Sequence, residues 1–94
     1  MTANTLNQLR AAIGDVDSAI ITLIAERTAL ACAIGLVKAE DGQPVTDPAR
    51  ESAVVANAAR LAREAGLPAE EIRTLYWQLM AIARQAQLQQ HHSP

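Results

Sequence analysis

Two cationic side chains interrupt the apolar face of one long helical segment. Arg27 replaces an apolar residue in a series that steps by three and four along the chain, and Lys38, the only lysine, follows eleven residues later. Eleven residues are nearly three helical turns, so both side chains project to almost the same side, with Cα atoms about 16 Å apart. Two such cations could clasp a small anion. The alternative is that each reaches into solvent or pairs with a nearby carboxylate.

The two later segments add polar groups to the sides that we expect to be buried. Glu51 lies one turn before Val54 on an apolar stripe, and Arg50 sits beside it. Gln87 follows Ala83 by four residues, so an amide continues another apolar face. Inward-facing polar groups from three helices are typical of a binding site in the core of a bundle.

Arg10 is a further cation on the first segment, twenty-eight residues before Lys38. The separation is roughly 42 Å along one helix, so these two residues cannot touch one small ligand within one chain. In an antiparallel dimer of long helices, the start of one helix reaches the middle of the other. Arg10 is therefore a candidate for the partner's site, and the alternative is an ordinary surface arginine.

The residue types favour binding of a compact dicarboxylate. Arginine suits bidentate capture of carboxylates, and two arginines would leave Lys38 and Gln87 to donate hydrogen bonds elsewhere. The sequence has no paired nucleophile and base, no Gly-rich phosphate loop and no Cys/His set with metal-ligand spacing. We therefore expect no metal and no cofactor.

The elements that must position these residues are three helices, and the first is too long for its own domain. At 1.5 Å per residue it would span roughly 50 Å, whereas a compact chain of this size has a radius of gyration of about 12 Å. The helix would expose an apolar stripe with nothing to cover it, so we predict an intertwined homodimer. The stripe comprises Leu6, Leu9, Ile13, Val16, Ile20, Leu23, Leu30, Ile34 and Val37.

Turn signals divide the chain. Gly42 and Pro44 predict the end of the first helix, Asp47 and Pro48 the N-cap and first position of the second, and Gly66 its end. No strand pattern is present, so the predicted fold class is all-α. The predicted helices cover about residues 5–39, 48–65 and 68–89.

Composition sets the broad class. The 94 residues, half of them hydrophobic and 2% aromatic, predict one small helical domain over residues 1–94. A net charge of −2 gives no reason to expect nucleic acid or a membrane surface as a partner. Neither a signal peptide nor an apolar run of membrane-spanning length is evident, so we expect a cytoplasmic protein.

In order and spacing, the pieces "LR..I..VD", "L..ER..L...IG..K" and "PV.D..RE" resemble the all-helical chorismate mutases, and the similarity covers nearly the whole chain. The resemblance implies a three-helix chain in an intertwined dimer with two equivalent sites. It implies conversion of chorismate to prephenate by an intramolecular [3,3] rearrangement in aromatic amino-acid biosynthesis, without a cofactor. No fused dehydratase or dehydrogenase is visible, so a monofunctional chain is expected.

The resemblance also implies roles for individual residues. Arg27 and the partner's Arg10 would hold the two substrate carboxylates. Lys38 would contact a carboxylate and the ether oxygen, to which Gln87 would be the second donor. The remaining implied contacts are Glu51 to the ring hydroxyl, Asp47 at the loop edge, Arg50 in support, and Ala83 where relatives often have a serine.

Alternatives on the same scaffold are an isochorismate-pyruvate lyase and an amino-deoxychorismate mutase. Glu51 favours the mutase over the lyase, because a carboxylate placed for a ring hydroxyl suits chorismate. An alternative of a different class is a catalytically silent helical partner or regulator.

Overall fold

The computed structural model describes residues 5–92 of the chain, with side chains described up to residue 90. These residues form three α-helices and no strand, as the sequence predicts. The third helix continues past the predicted end near residue 89. The helices are α1 (Leu6–Glu40), α2 (Pro48–Glu64) and α3 (Ala69–His92).

Local sequence explains where the helices begin and end. The Thr5 hydroxyl accepts a hydrogen bond from the Gln8 amide at 3.1 Å, and the Gln8 side chain accepts one from the Thr5 amide at 2.8 Å, which together form a capping box. Gly42 and Gly66 follow α1 and α2 with φ of 71° and 75°, a conformation that favours glycine. Asp47 caps α2, as predicted, and its Oδ1 accepts from the Arg50 amide at 3.1 Å.

The third helix is the centre of the fold, since it packs against both α1 and α2, while no Cα atoms of those two helices approach within 8 Å in the described residues. On α2, Val55, Ala58, Ala59 and Ala62 are buried, whereas Leu61 is exposed. Leu75 and Ile82 on α3 are exposed as well. The buried core is Val55, Ala58, Ala59, Ala62, Met80 and Ala83.

The first helix differs from the other two. Its only buried residue is Gly35, and all nine members of the apolar stripe defined above are exposed. The side that meets α3 carries small residues, with Ala31 and Cys32 partly buried beside Gly35. The chain consequently measures 59 × 32 × 17 Å and has a radius of gyration of 17.2 Å. A compact chain of this length would have about 12 Å.

By length and composition alone, α1 is also apolar enough to cross a membrane, with an 18-residue window of mean hydropathy 1.9. The sequence-based statement that no stretch approaches a membrane span was therefore too strong. Core helices of soluble proteins meet the same criterion. Any such window of α1 includes the adjacent charged residues Glu26 and Arg27, which are costly within a bilayer.

Candidate active site

A cationic pocket lies where the N-terminal turn of α2 and the C-terminal half of α3 face the middle of α1. Its volume is about 130 Å³. Three arginines and one glutamate line it, which leaves two net positive charges. Its polar lining includes Arg27, Arg50, Glu51, Arg84 and Gln87, and its apolar wall includes Ala31, Val54, Met80 and Ala83. A pocket of this volume is small for a metabolite site, since ligand pockets usually enclose about 300–1,000 Å³.

Arg27 enters the pocket from α1 and is partly buried. Its guanidinium carbon lies 5.7 Å from the centre of the Tyr76 ring on α3, within the range of a cation–π contact. The aromatic ring stabilises the cation without neutralising it, so the guanidinium N–H groups stay available to an anion. The sequence prediction that Arg27 faces inwards is consistent with this position.

Gln87 is fixed on α3 by a hydrogen bond across to α1. Its Nε2 donates to the Ala31 carbonyl at 2.8 Å. Gly35 makes this approach possible, because a Cβ at that position would lie 3.3 Å from the same Nε2. An amide nitrogen carries two hydrogens, so one remains to donate to a ligand. The anchored side chain is thus a neutral donor held in place before anything binds.

Glu51 and Arg84 form an ion pair between α2 and α3, with Glu51 Oε2 and Arg84 Nη2 2.7 Å apart. Glu51 lies in the first turn of α2, where the helix dipole favours an anion. The sequence reading missed Arg84. A signal was available, since Arg84 precedes Gln87 by three residues and so lies on nearly the same face of α3.

Lys38 does not line this pocket with Arg27, although the two residues were expected to point together. Its Nζ instead lies 3.5 Å from the carbonyl oxygen of Val45 in the loop before α2. Val45 itself lines the pocket, so the ammonium group stands directly behind the pocket wall. Both cations lie on the continuous helix α1, but only Arg27 lines the pocket.

Two other candidates lie outside the pocket. Asp47 is not among its lining residues, and its carboxylate caps α2. Arg10 is exposed near the start of α1 and takes no part in the pocket of its own chain. Of the candidate residues, the structure brings together Arg27, Arg50, Glu51, Ala83 and Gln87.

The arrangement suits recognition of a small dianion. Two net positive charges match two carboxylates, and the anchored amide can donate to a third oxygen. Within the described part of the chain, no group of three or more His, Cys, Asp or Glu residues could hold a metal ion. Fold and pocket together define a small all-helical protein with a small cationic site between its helices.

Comparison with known proteins names the family. The chain belongs to the chorismate mutase type II family, whose model matches residues 9–88, and this family consists of isomerases. A T-protein from Enterobacter agglomerans is 33% identical over 75 residues, which are 80% of this chain and 20% of that protein. A chorismate mutase from Methanocaldococcus jannaschii is 36% identical over 59 residues, 63% of this chain and 60% of the relative. The chain therefore spans from a fifth to about three fifths of these curated relatives.

Proposed function

We propose that this protein is a chorismate mutase, which converts chorismate to prephenate by an intramolecular [3,3] rearrangement. The observation that carries the proposal is the pocket of three guanidinium groups and one carboxylate, closed on one side by the anchored amide of Gln87. Membership of the chorismate mutase type II family supports the substrate. In this role the protein works in the cytoplasm and supplies aromatic amino-acid biosynthesis.

The substrate's two carboxylates are held by arginines. Arg27 binds one of them with the N–H groups that its contact with Tyr76 leaves available. Arg10 of the partner subunit binds the other, and Arg50 supports the site from the start of α2. Holding both carboxylates fixes the flexible enolpyruvyl arm over the ring. The substrate is therefore bound in the reactive conformer, which is rare in solution.

Two donors act on the ether oxygen, where negative charge develops as the C–O bond breaks. Gln87 offers the amide hydrogen that Ala31 does not use. Lys38 moves from the Val45 carbonyl to the ligand, at little cost, because a contact of 3.5 Å is at the long limit of a hydrogen bond. Donors that strengthen as charge develops lower the barrier rather than merely improving binding.

The remaining pocket residues recognise the ring. Glu51 accepts a hydrogen bond from the ring hydroxyl. Ala83 offers no hydroxyl to a carboxylate, so substrate binding loses about one hydrogen bond, roughly 0.5–1.5 kcal/mol. Asp47 contributes from the loop edge by holding the first turn of α2, which carries Arg50 and Glu51.

The proposed active form is a homodimer in which long helices pair antiparallel. The chain exposes 7097 Å², whereas a compact protein of its mass exposes about 5,200 Å². The excess is about 1,900 Å² per chain, and twice this area falls within the 2,000–5,000 Å² typical of obligate dimers. The exposed stripe supplies apolar surface for the interface, and the partner's Arg10 would complete the undersized pocket.

The direct test is to incubate the purified protein separately with chorismate and isochorismate. Formation of prephenate from chorismate is expected, with little product from isochorismate. Salicylate and pyruvate from isochorismate would identify a lyase instead. No turnover of either substrate by an intact dimer would favour a catalytically silent partner.

A further inference from the structure

Arg84 is the charged residue of the pocket to which the proposed mechanism gives no role. It reaches from α3 to the first turn of α2, where its Nη2 lies 2.7 Å from Glu51 Oε2. Glu51 is the group that meets the ring substituent of the substrate under the proposed function. Arg84 also lines the pocket, and its Nη2 group is engaged by the carboxylate that would meet the substrate.

The ion pair between Arg84 and Glu51 is expected to contribute little to the stability of the fold. The Arg84 and Glu51 side chains are 45% and 24% exposed. Ion pairs with this much access to water contribute about 1 kcal/mol or less to folding. The chain has a comparable pair far from the pocket, between Arg60 and Glu64 on α2, with still more exposed side chains. Variants that lack one pair or the other therefore distinguish the general effect of losing an ion pair from an effect that is specific to the Arg84–Glu51 pair.

The pairing determines what Glu51 can recognise. Oε2 is engaged by a strong, charge-assisted hydrogen bond, which leaves Oε1 to accept from a ligand. The guanidinium also balances the carboxylate charge at contact distance. A neutral hydroxyl donor still finds a good acceptor in Oε1. An ammonium group finds a carboxylate whose attraction is largely cancelled, beside a second cation that repels it.

We propose that Arg84 is a specificity-determining residue that acts through Glu51, so that the site prefers a ring hydroxyl to a ring ammonium group. The inference rests on the proposed mutase function and refines its substrate class. In this account, the enzyme discriminates against amino-deoxychorismate, the analogue with an amino group in place of the ring hydroxyl, by means of a residue that touches neither substrate.

The experiment compares kcat/KM for chorismate and for amino-deoxychorismate in the wild-type protein and in Arg84→Gln. The ratio of the two values is expected to shift about fivefold towards the amino substrate, the equivalent of about 1 kcal/mol. Arg84→Lys keeps the charge and is expected to retain most of the wild-type ratio. Arg60→Gln removes an ion pair outside the pocket and should leave the ratio unchanged.

A double-mutant cycle with Glu51→Gln tests whether Arg84 acts through the carboxylate. In the Glu51→Gln background, Arg84→Gln is expected to shift the substrate ratio much less, because only the direct repulsion between the guanidinium and the ammonium group remains. An equal shift in both backgrounds would overturn the proposal, as would a rise in KM for both substrates at a constant ratio, which would mean that Arg84 binds substrate directly. Should the wild-type protein turn over neither substrate, the proposed function itself would fail and the role of Arg84 with it.

Discussion

The α2–α3 pair and the long helix α1 differ in how much of their apolar surface is buried within the chain. The pair encloses its own small core, built from alanines around Val55 and Met80, and joins its ends through the Gly66 turn. By contrast, α1 buries only Gly35, and its apolar stripe lies open along its whole length. The α2–α3 half of the fold has a core within the chain, whereas α1 leaves its apolar stripe exposed, and we propose that a second copy covers this stripe.

The same contrast runs through the candidate site. Groups on the α2–α3 side are already in place, because Glu51 is paired with Arg84 and Gln87 is anchored to Ala31. Two cations of α1 are less constrained than Arg27, since Lys38 makes only a 3.5 Å contact and Arg10 takes no part in the pocket of its own chain. We infer that dimerisation and substrate binding organise the α1 contributions.

The largest effect is expected from Ile20→Glu. If the partner's Arg10 reaches the site near Arg27, the twofold axis passes close to residue 20 of both chains, so this substitution buries two facing carboxylates. Each buried, unpaired charge costs about 3–5 kcal/mol. The dissociation constant of the dimer should therefore rise by about four orders of magnitude or more, and activity should disappear.

Sedimentation across a concentration series measures this effect. The matched control is Leu67→Glu, which adds the same charge at a leucine that is 50% exposed in the α2–α3 turn. That variant should remain a dimer with nearly normal turnover. If both substitutions weakened the dimer equally, the account in which α1, and not the α2–α3 turn, forms the dimer interface would be contradicted.

Lys38→Ala should lower kcat by about a thousandfold, because one of the two donors to the developing oxyanion is lost. Its fold should survive, since the Val45 contact that it loses is weak. Rapid-mixing or steady-state assays with chorismate measure the change, and circular dichroism checks the helices. Turnover close to that of the wild type would exclude Lys38 from the mechanism.

Gly35→Ala tests how closely α1 and α3 must approach. The added Cβ would lie 3.3 Å from Gln87 Nε2 and would push the amide by a few tenths of an ångström. We expect kcat to fall about tenfold through misplacement of that donor, with a small change in Tm. Gly14→Ala is the control, since nothing lies within 4 Å of a Cβ there. An unchanged kcat for Gly35→Ala would show that Gln87 needs no exact placement.

The smallest effect is expected from Ala83→Ser. The side chain lines the pocket and is 7% exposed, so a hydroxyl there would face a bound carboxylate. One added hydrogen bond is worth about 1 kcal/mol, so KM should fall about fivefold with kcat nearly constant. A higher KM would mean that the hydroxyl bonds to the backbone of its own helix instead.

The fold could be predicted from the sequence because the residues that begin and end its helices act locally. Gly42, Asp47 and Gly66 act through their own backbone geometry and capping, which no distant contact overrides. The length of α1 likewise followed from an apolar repeat that only Arg27 interrupts. What the sequence could not define was which apolar residues of α3 are covered within a single chain, since Leu75 and Ile82 are 48% and 44% exposed.

The site was only partly predictable for a different reason. Helical spacing identifies the side of the helix on which a residue lies. This was sufficient to predict that Arg27, Glu51 and Gln87 face a common pocket. It does not determine where a flexible side chain ends, so Lys38 was placed with Arg27 although its Nζ turns to Val45. Arg84 was not predicted because it interrupts no apolar face, and it lies one residue beyond the buried Ala83.

The central claim is that each site takes one arginine from each chain, and subunit complementation tests it most directly. Arg10→Ala and Arg27→Ala homodimers should each be nearly inactive. After the two are unfolded together and refolded as an equal mixture, half of the dimers are mixed, and each mixed dimer has one site with both arginines intact. Activity should return to about a quarter of the wild-type value. No recovery, with mixed dimers demonstrated by mass spectrometry, would contradict a shared site.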